Sequence, residues 1–173
     1  VKTLGKALIV AALHLAIVLS LGGKLLYDRA HRPRIWVRTG TIDPDLPIRG
    51  RYLTLSLEVH APGLAGFNEG KNKYAMQDVR LEVENGQLTA HPSDPGTGMY
   101  LANWGRPRSA PAGSDVYILS PGVTFFLPEH AHVPILKSGE ELWAEVTVPR
   151  KGPPRPIQLA LKKGTQWIPL NYR

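Results

Sequence analysis

Two kinds of apolar patterning divide the chain. Ala7–Gly23 reads ALIVAALHLAIVLSLGG, seventeen positions without a formal charge and with no polar face. At about 1.5 Å per residue that run reaches roughly 26 Å as a helix. Leu25, Leu26 and Tyr27, with Lys24 directing its ammonium outward, carry it to the ~30 Å of a bilayer hydrocarbon core. Ile9, Val10, Ile17 and Val18 do not oppose a helix here, because lipid forces the backbone to pair internally. The pattern predicts one N-terminal transmembrane α-helix. The run is longer than the apolar part of a secretory signal, which predicts an uncleaved anchor.

From Ile35 the period changes to two. Leu53, Leu55, Leu57 and Val59 alternate with Tyr52, Thr54, Ser56 and Glu58, a half-buried strand over Tyr52–His60. Val79, Leu81 and Val83 alternate with Arg80, Glu82 and Glu84. Asn85-Gly86 then supplies the positive φ of a two-residue hairpin, and Gln87–Ala90 returns. Leu142, Ala144, Val146 and Val148 form another alternating set, and Ile157, Leu159 and Leu161 follow the break at Lys151-Gly152-Pro153-Pro154. Shorter strands are predicted at Ile35–Thr39, Met99–Trp104, Val116–Leu119 and Val123–Leu127, with long loops at 61–74, 93–98 and 105–114. Eight or nine short strands without a helical period indicate an all-β sandwich or partly open barrel. The expected organisation is a membrane anchor and basic stem over 1–34 and a β-rich domain over 35–173.

Composition narrows the function more by exclusion than by indication. There is no cysteine, which removes disulfides, thiol catalysis and Cys-ligated metal. The formal charge of +7 suggests nucleic acid until it is located. Residues 1–34 hold six Lys or Arg against one Asp, whereas 35–173 hold fifteen against thirteen acids. The domain is close to neutral, so no nucleic-acid partner is expected. The clusters Arg150/Lys151/Arg155 and Lys162/Lys163 read as solvated turn chemistry. Arg29, Arg32 and Arg34, with Trp36 just beyond, are candidates for contact with lipid headgroups or a partner. His14 sits mid-span, where an imidazole must bond locally or face a neighbouring helix. A positive-inside count, with Lys2 and Lys6 facing Lys24, Arg29, Arg32, Arg34 and Arg38, favours a cytoplasmic domain.

Two blocks resemble a known family. Thr39–Leu55, with Asp43-Pro44 and Asp45-Leu46-Pro47 running into Gly50-Arg51-Tyr52 and a strand, is similar to the defining segment of the bacterial GDYXXLXY family. Gly50, Tyr52 and Leu55 match, while Arg51 stands for the family Asp and Leu57 for the final Tyr. Downstream, Gly122, Phe125, Phe126, Pro128 and Glu129 match a second block. The resemblance implies a bacterial inner-membrane protein with one anchor and an extracytoplasmic, periplasmic β-domain, found beside multi-pass membrane proteins. It carries no catalytic residues. Physically, Asp-Pro and Asp-Leu-Pro favour turns and Gly50 frees the backbone before the strand.

Candidate chemistry is sparse. Glu129, His130 and His132 could begin a metal site, but the further ligands would have to come from distant His91 or Asp94, and no metal or cofactor is expected. No Gly-x-Ser-x-Gly elbow, Walker loop or dinucleotide fingerprint occurs. Trp36, Trp104, Trp143 and Trp167 could line a ligand surface, fill the core or sit at an interface. The expected function is a non-catalytic accessory or binding subunit docking on an integral membrane protein complex. The alternatives are an extracytoplasmic hydrolytic enzyme or a ligand-sensing β-domain.

Overall fold

The computed structural model describes residues 2–42, 52–64, 75–107, 109–111, 113–128, 131 and 134–172. The chain divides into two compact units, 1–32 and 33–173. The first is one helix, α1 (Lys2–His31). It contains a twenty-residue stretch, Gly5–Lys24, long and apolar enough to cross a bilayer, with none of it buried. The helix runs well past Gly23 into the segment read as a stem, since Lys24, Leu26, Arg29 and Ala30 are good helix formers. It stops two residues before Pro33, whose ring disfavours helical backbone in the residue ahead of it. His31 closes the last turn: its Nδ1–H donates to the Tyr27 carbonyl at 3.0 Å and its ring stacks on Tyr27 at 4.0 Å.

The second unit is all β. Its strands are β1 (Arg34–Ile42), β2 (Tyr52–His60), β3 (Met76–Glu84), β4 (Gln87–Pro92), β5 (Tyr100–Ala102), β6 (Val116–Ser120), β7 (Val123–Phe126), β8 (Glu140–Thr147), β9 (Arg155–Lys163) and β10 (Gln166–Leu170). Five of them, β2, β4, β3, β5 and β6, close into a barrel in that order. A ring with an odd number of strands cannot close on antiparallel pairs alone, because directions must return to the start. The parallel contact of β2 with β4, at His60 and Thr89, supplies the required exception.

Strand β2 belongs to two sheets at once. Its first half pairs with β1 on one side and β7 on the other; its last residues pair with β4 and β6. Outward from β1 the sheet continues through β8 and β9 to β10, each neighbour antiparallel. Leu53, Leu55, Leu57 and Val59 are at most 1% exposed and form the spine of one continuous core with Val79, Leu101, Tyr117, Leu142 and Leu159.

β6 and β7 run along the same edge of β2, and the passage between them is a corner. Glu58 faces Ile118 but Leu55 faces Val123, so two extra residues are accommodated at Pro121-Gly122. A Cβ on Gly122 would lie 2.6 Å from Thr54 Cγ2 and 3.0 Å from the Leu55 carbonyl oxygen, so the close approach requires glycine. At the β3–β4 turn, Asn85 (φ 50) and Gly86 (φ 73) adopt the expected left-handed pair. Pro156, the second residue of β9, sits at a bulge. Val146 faces Pro156 while Glu145 faces Gln158, leaving Ile157 as the extra residue, and the proline's missing N–H falls where the ladder is already interrupted.

Candidate functional site

The outward face of β1, β8, β9 and β10 carries Trp36, Trp143 and Trp167 together with Arg38, Glu141 and Lys162. Antiparallel register sets Arg38 beside Trp143 and Trp143 beside Ala160; the next row sets Glu141 beside Lys162 and Lys162 beside Trp167. Ala160 is 1% exposed. Its small side chain leaves room for the larger groups of this face, and cross-strand and diagonal neighbours of this size meet. Trp167 packs edge-on against Trp143 at 5.3 Å and against Trp36 at 5.4 Å. The Lys162 ammonium lies 5.0 Å from the Trp143 ring centre and 5.5 Å from that of Trp167. Lys162 is therefore part of an aromatic cluster within β9, not solvated turn chemistry, and the turn falls at Gly164-Thr165 instead.

A polar chain runs beside the indoles. Trp143 Nε1–H donates to Glu141 at 3.0 Å, Glu141 pairs with Arg38 Nη2 at 3.3 Å, and Arg38 Nε approaches Glu58 at 3.8 Å. Ser109 Oγ–H donates to the same Glu58 oxygen at 3.2 Å. Arg38, Glu58, Glu141 and Trp143 stand on strands β1, β2 and β8, which hold them in fixed positions, and Ser109 reaches them from a turn. Trp36, Trp143, Arg38, Glu58, Glu141 and Lys162, together with His60 and the Gly86–Leu88 end of the β3–β4 hairpin, line a cleft of about 450 Å³. Arg38, Glu58 and Glu141 also line an adjoining hollow of about 270 Å³ that includes Ser109 and Leu136. A hollow of about 520 Å³ lies elsewhere, between Val79–Leu81, the 93–99 turn and 149–152. It has no aromatic residue, and its Arg80 is held by Glu82 at 2.9 Å.

The other sequence candidates are distributed unevenly. Tyr52 and Leu55 of the first family-like block and Gly122, Phe125 and Phe126 of the second come together, because Tyr52 faces Phe126, Leu53 faces Phe125 and Leu55 faces Val123. Leu55 is fully buried, Phe125 packs on Tyr172 at 6.0 Å, and Phe126 and Pro128 are exposed. This is a strand pair and a corner, an arrangement of packing and backbone rather than chemistry. Asp43, Pro44, Gly50, Glu129, His130 and His132 lie outside the described residues. No protein-family model, curated protein or solved structure matches this chain. The resemblance to the GDYXXLXY family rests on its two sequence blocks.

Of the basic stem, Arg29 lies within α1, Arg32 follows it, and an exposed Arg34 opens β1. His14 donates from Nδ1 to the Val10 carbonyl at 2.8 Å, the local bond open to a mid-span imidazole. His91 bonds Glu84 at 3.0 Å, and Asp94 is exposed in the following turn. Glu82, Glu84 and His91 bring ligand atoms within 4.8 Å of one another, a cluster the sequence reading did not identify. The Asn85-Gly86 turn sets its register and could have revealed it. Arg80 already pairs with Glu82 and His91 with Glu84, so a cation would have to compete with the Arg80 guanidinium and replace the His91–Glu84 hydrogen bond. In the aromatic site, the sequence offers Trp36, Trp143 and Trp167 as one possible ligand surface and Lys162 only as turn chemistry, whereas nothing in it points to Glu58 or Glu141.

Proposed function

We propose that the chain is a non-catalytic, single-pass membrane-anchored binding protein. Its helix fixes the β-unit at a bacterial inner membrane, with the β-unit periplasmic, and docks on an integral membrane protein complex as an accessory subunit. The observation that carries this reading is the unburied apolar stretch of α1, Gly5–Lys24. A helix apolar on every side has no stable place in water and needs lipid or other helices around it. The His14 Nδ1–H is used by Val10, which leaves Nε2 as an acceptor for a donor on a neighbouring helix. The periplasmic side and the membrane complex follow the family resemblance, against the flanking charge count.

A photo-crosslinking residue at Leu8, Leu15 or Leu19, activated in native membranes, should give discrete adducts with an integral membrane protein. Adducts with lipid alone contradict the accessory role. Protease added to spheroplasts should degrade the β-unit; a protected β-unit contradicts the topology.

The Trp36/Trp143 cleft favours a second reading, a β-domain that senses a ligand. A thermal-shift screen of small molecules should find stabilising compounds whose effect is lost in Trp143→Ala. A panel without any such compound contradicts it.

A further inference from the structure

The lining of the Trp36/Trp143 cleft selects a class of ligand. Its formal charges cancel, Arg38 and Lys162 against Glu58 and Glu141. An anion would meet two carboxylates and a cation two basic groups. A purely apolar ligand would strip water from four charged side chains and return no hydrogen bonds. The walls offer donors and acceptors together, set beside indole. Among the described residues, the Trp36 indole N–H and the His60 ring have no hydrogen-bond partner, and the Lys162 ammonium meets only ring faces. Both Glu58 and Glu141 are acceptors with lone pairs beyond those used by Arg38, Ser109 and Trp143.

A sugar unit matches that lining. Each hydroxyl both donates and accepts, there is no net charge, and the C–H groups of one ring face give an apolar surface suited to an indole. We propose that this cleft binds a neutral oligosaccharide, with Trp36 and Trp143 as the apolar platform and Arg38, Glu58, Glu141 and Lys162 as hydroxyl partners. Arg38, Glu58 and Glu141 line both the 450 Å³ cleft and the 270 Å³ hollow beside it, so the polar row serves a chain of two or three units. The cleft volume lies in the range of ordinary ligand sites. The proposal rests on the ligand-sensing reading above and is independent of the accessory role of the helix.

The test uses the full chain in a zwitterionic detergent without a sugar headgroup, because an alkyl glycoside would compete. Cellotriose, maltotriose and the N-acetylglucosamine trimer are titrated, with tryptophan fluorescence and calorimetry as readouts. Trigalacturonate and the glucosamine trimer serve as anionic and cationic counterparts. At least one neutral trisaccharide should bind saturably, and Trp36→Ala and Trp143→Ala should each weaken it at least tenfold. Trp104→Phe, outside the cleft, should leave affinity within twofold. Because loss of an indole can unfold the sheet, Glu141→Gln is measured beside them and should weaken binding several-fold at an unchanged unfolding midpoint. If only a charged trimer binds, with the same tryptophan dependence, the neutral class is wrong and the ligand-sensing reading stands. If no trimer binds, or binding ignores all three cleft substitutions, the saccharide proposal is overturned, and the thermal-shift screen decides the broader reading separately.

Discussion

Helix α1 and strand β2 are both rich in leucine, yet they solve opposite solvation problems. In α1, Leu8, Leu13, Leu15 and Leu19 are each at least 60% exposed, whereas in β2, Leu53, Leu55 and Leu57 are at most 1% exposed. The difference lies in what the intervening positions do. Between the β2 leucines stand Thr54, Ser56 and Glu58, which give the strand a wet face and a dry one. Between the helix leucines stand Ile, Val and Ala and the single His14, whose Nδ1–H is spent on the Val10 carbonyl, so no rotation presents a wet face. The period of the apolar residues therefore reports the solvent each unit was built for. Protein interior takes up the dry face of β2, whereas α1 is apolar on every side and long enough to cross a bilayer.

That contrast breaks most severely in the core. Leu55→Ala should destabilise the β-unit by about 2–5 kcal/mol, because the void is enclosed on all sides. Chemical denaturation followed by tryptophan fluorescence measures it. Leu15→Ala, the same change in the helix, should leave that unfolding curve where it was. Equal shifts from the two would mean that the helix is part of the same cooperative core.

Leu15→Arg tests the helix from its own side. A charge at mid-span costs about 2.5–3.5 kcal/mol on insertion scales, so the membrane-bound fraction should fall sharply while the β-unit keeps its stability. Unchanged membrane association would remove the reason for calling the helix an anchor.

Gly122→Ala probes the corner where β2 passes from one sheet to the other. The new methyl meets Thr54 Cγ2 and the Leu55 carbonyl oxygen, and a loss of about 1–3 kcal/mol is expected from overpacking. The Thr54→Ser background, which removes the nearer clash, should recover part of it.

The smallest effect is electrostatic. Burial pushes the half-buried Tyr172 phenol above its ordinary 10.0. The unfolded chain then loses that proton first, so the stability tied to the neutral ring is complete below pH 10 and declines as pH rises through the folded value. Tyr172→Phe should flatten the alkaline limb of the stability profile.

Much of this architecture was legible because local pattern decided it. The bounds of β2, the Asn85-Gly86 hairpin, the apolar helix and the all-β class all follow from alternation, turn chemistry or run length. What stayed hidden depends on partners distant in sequence. β10 was missed because Gln166–Pro169 is exposed throughout and Pro169 interrupts the run, as an edge strand allows and a central one does not. Barrel closure depends on one parallel contact of β2 with β4 and on β6 meeting the end of β2, and neither leaves a mark in either strand. The cleft was hidden for the same reason. Trp36, Trp143 and Trp167 stand far apart in the chain, and only the registers of β1, β8, β9 and β10 set them around Lys162 and beside Arg38. Tyr52 and Phe126 show the converse, since two motif blocks far apart in the chain supply facing residues of one strand pair.

An anchor role for α1 requires that lipid solvate it. Membranes from cells expressing the full chain, washed with alkaline carbonate and sedimented, test it directly. The protein should remain in the pellet and leave it only when detergent dissolves the bilayer. Recovery of the intact chain in the carbonate supernatant would rule out lipid as the solvent of α1.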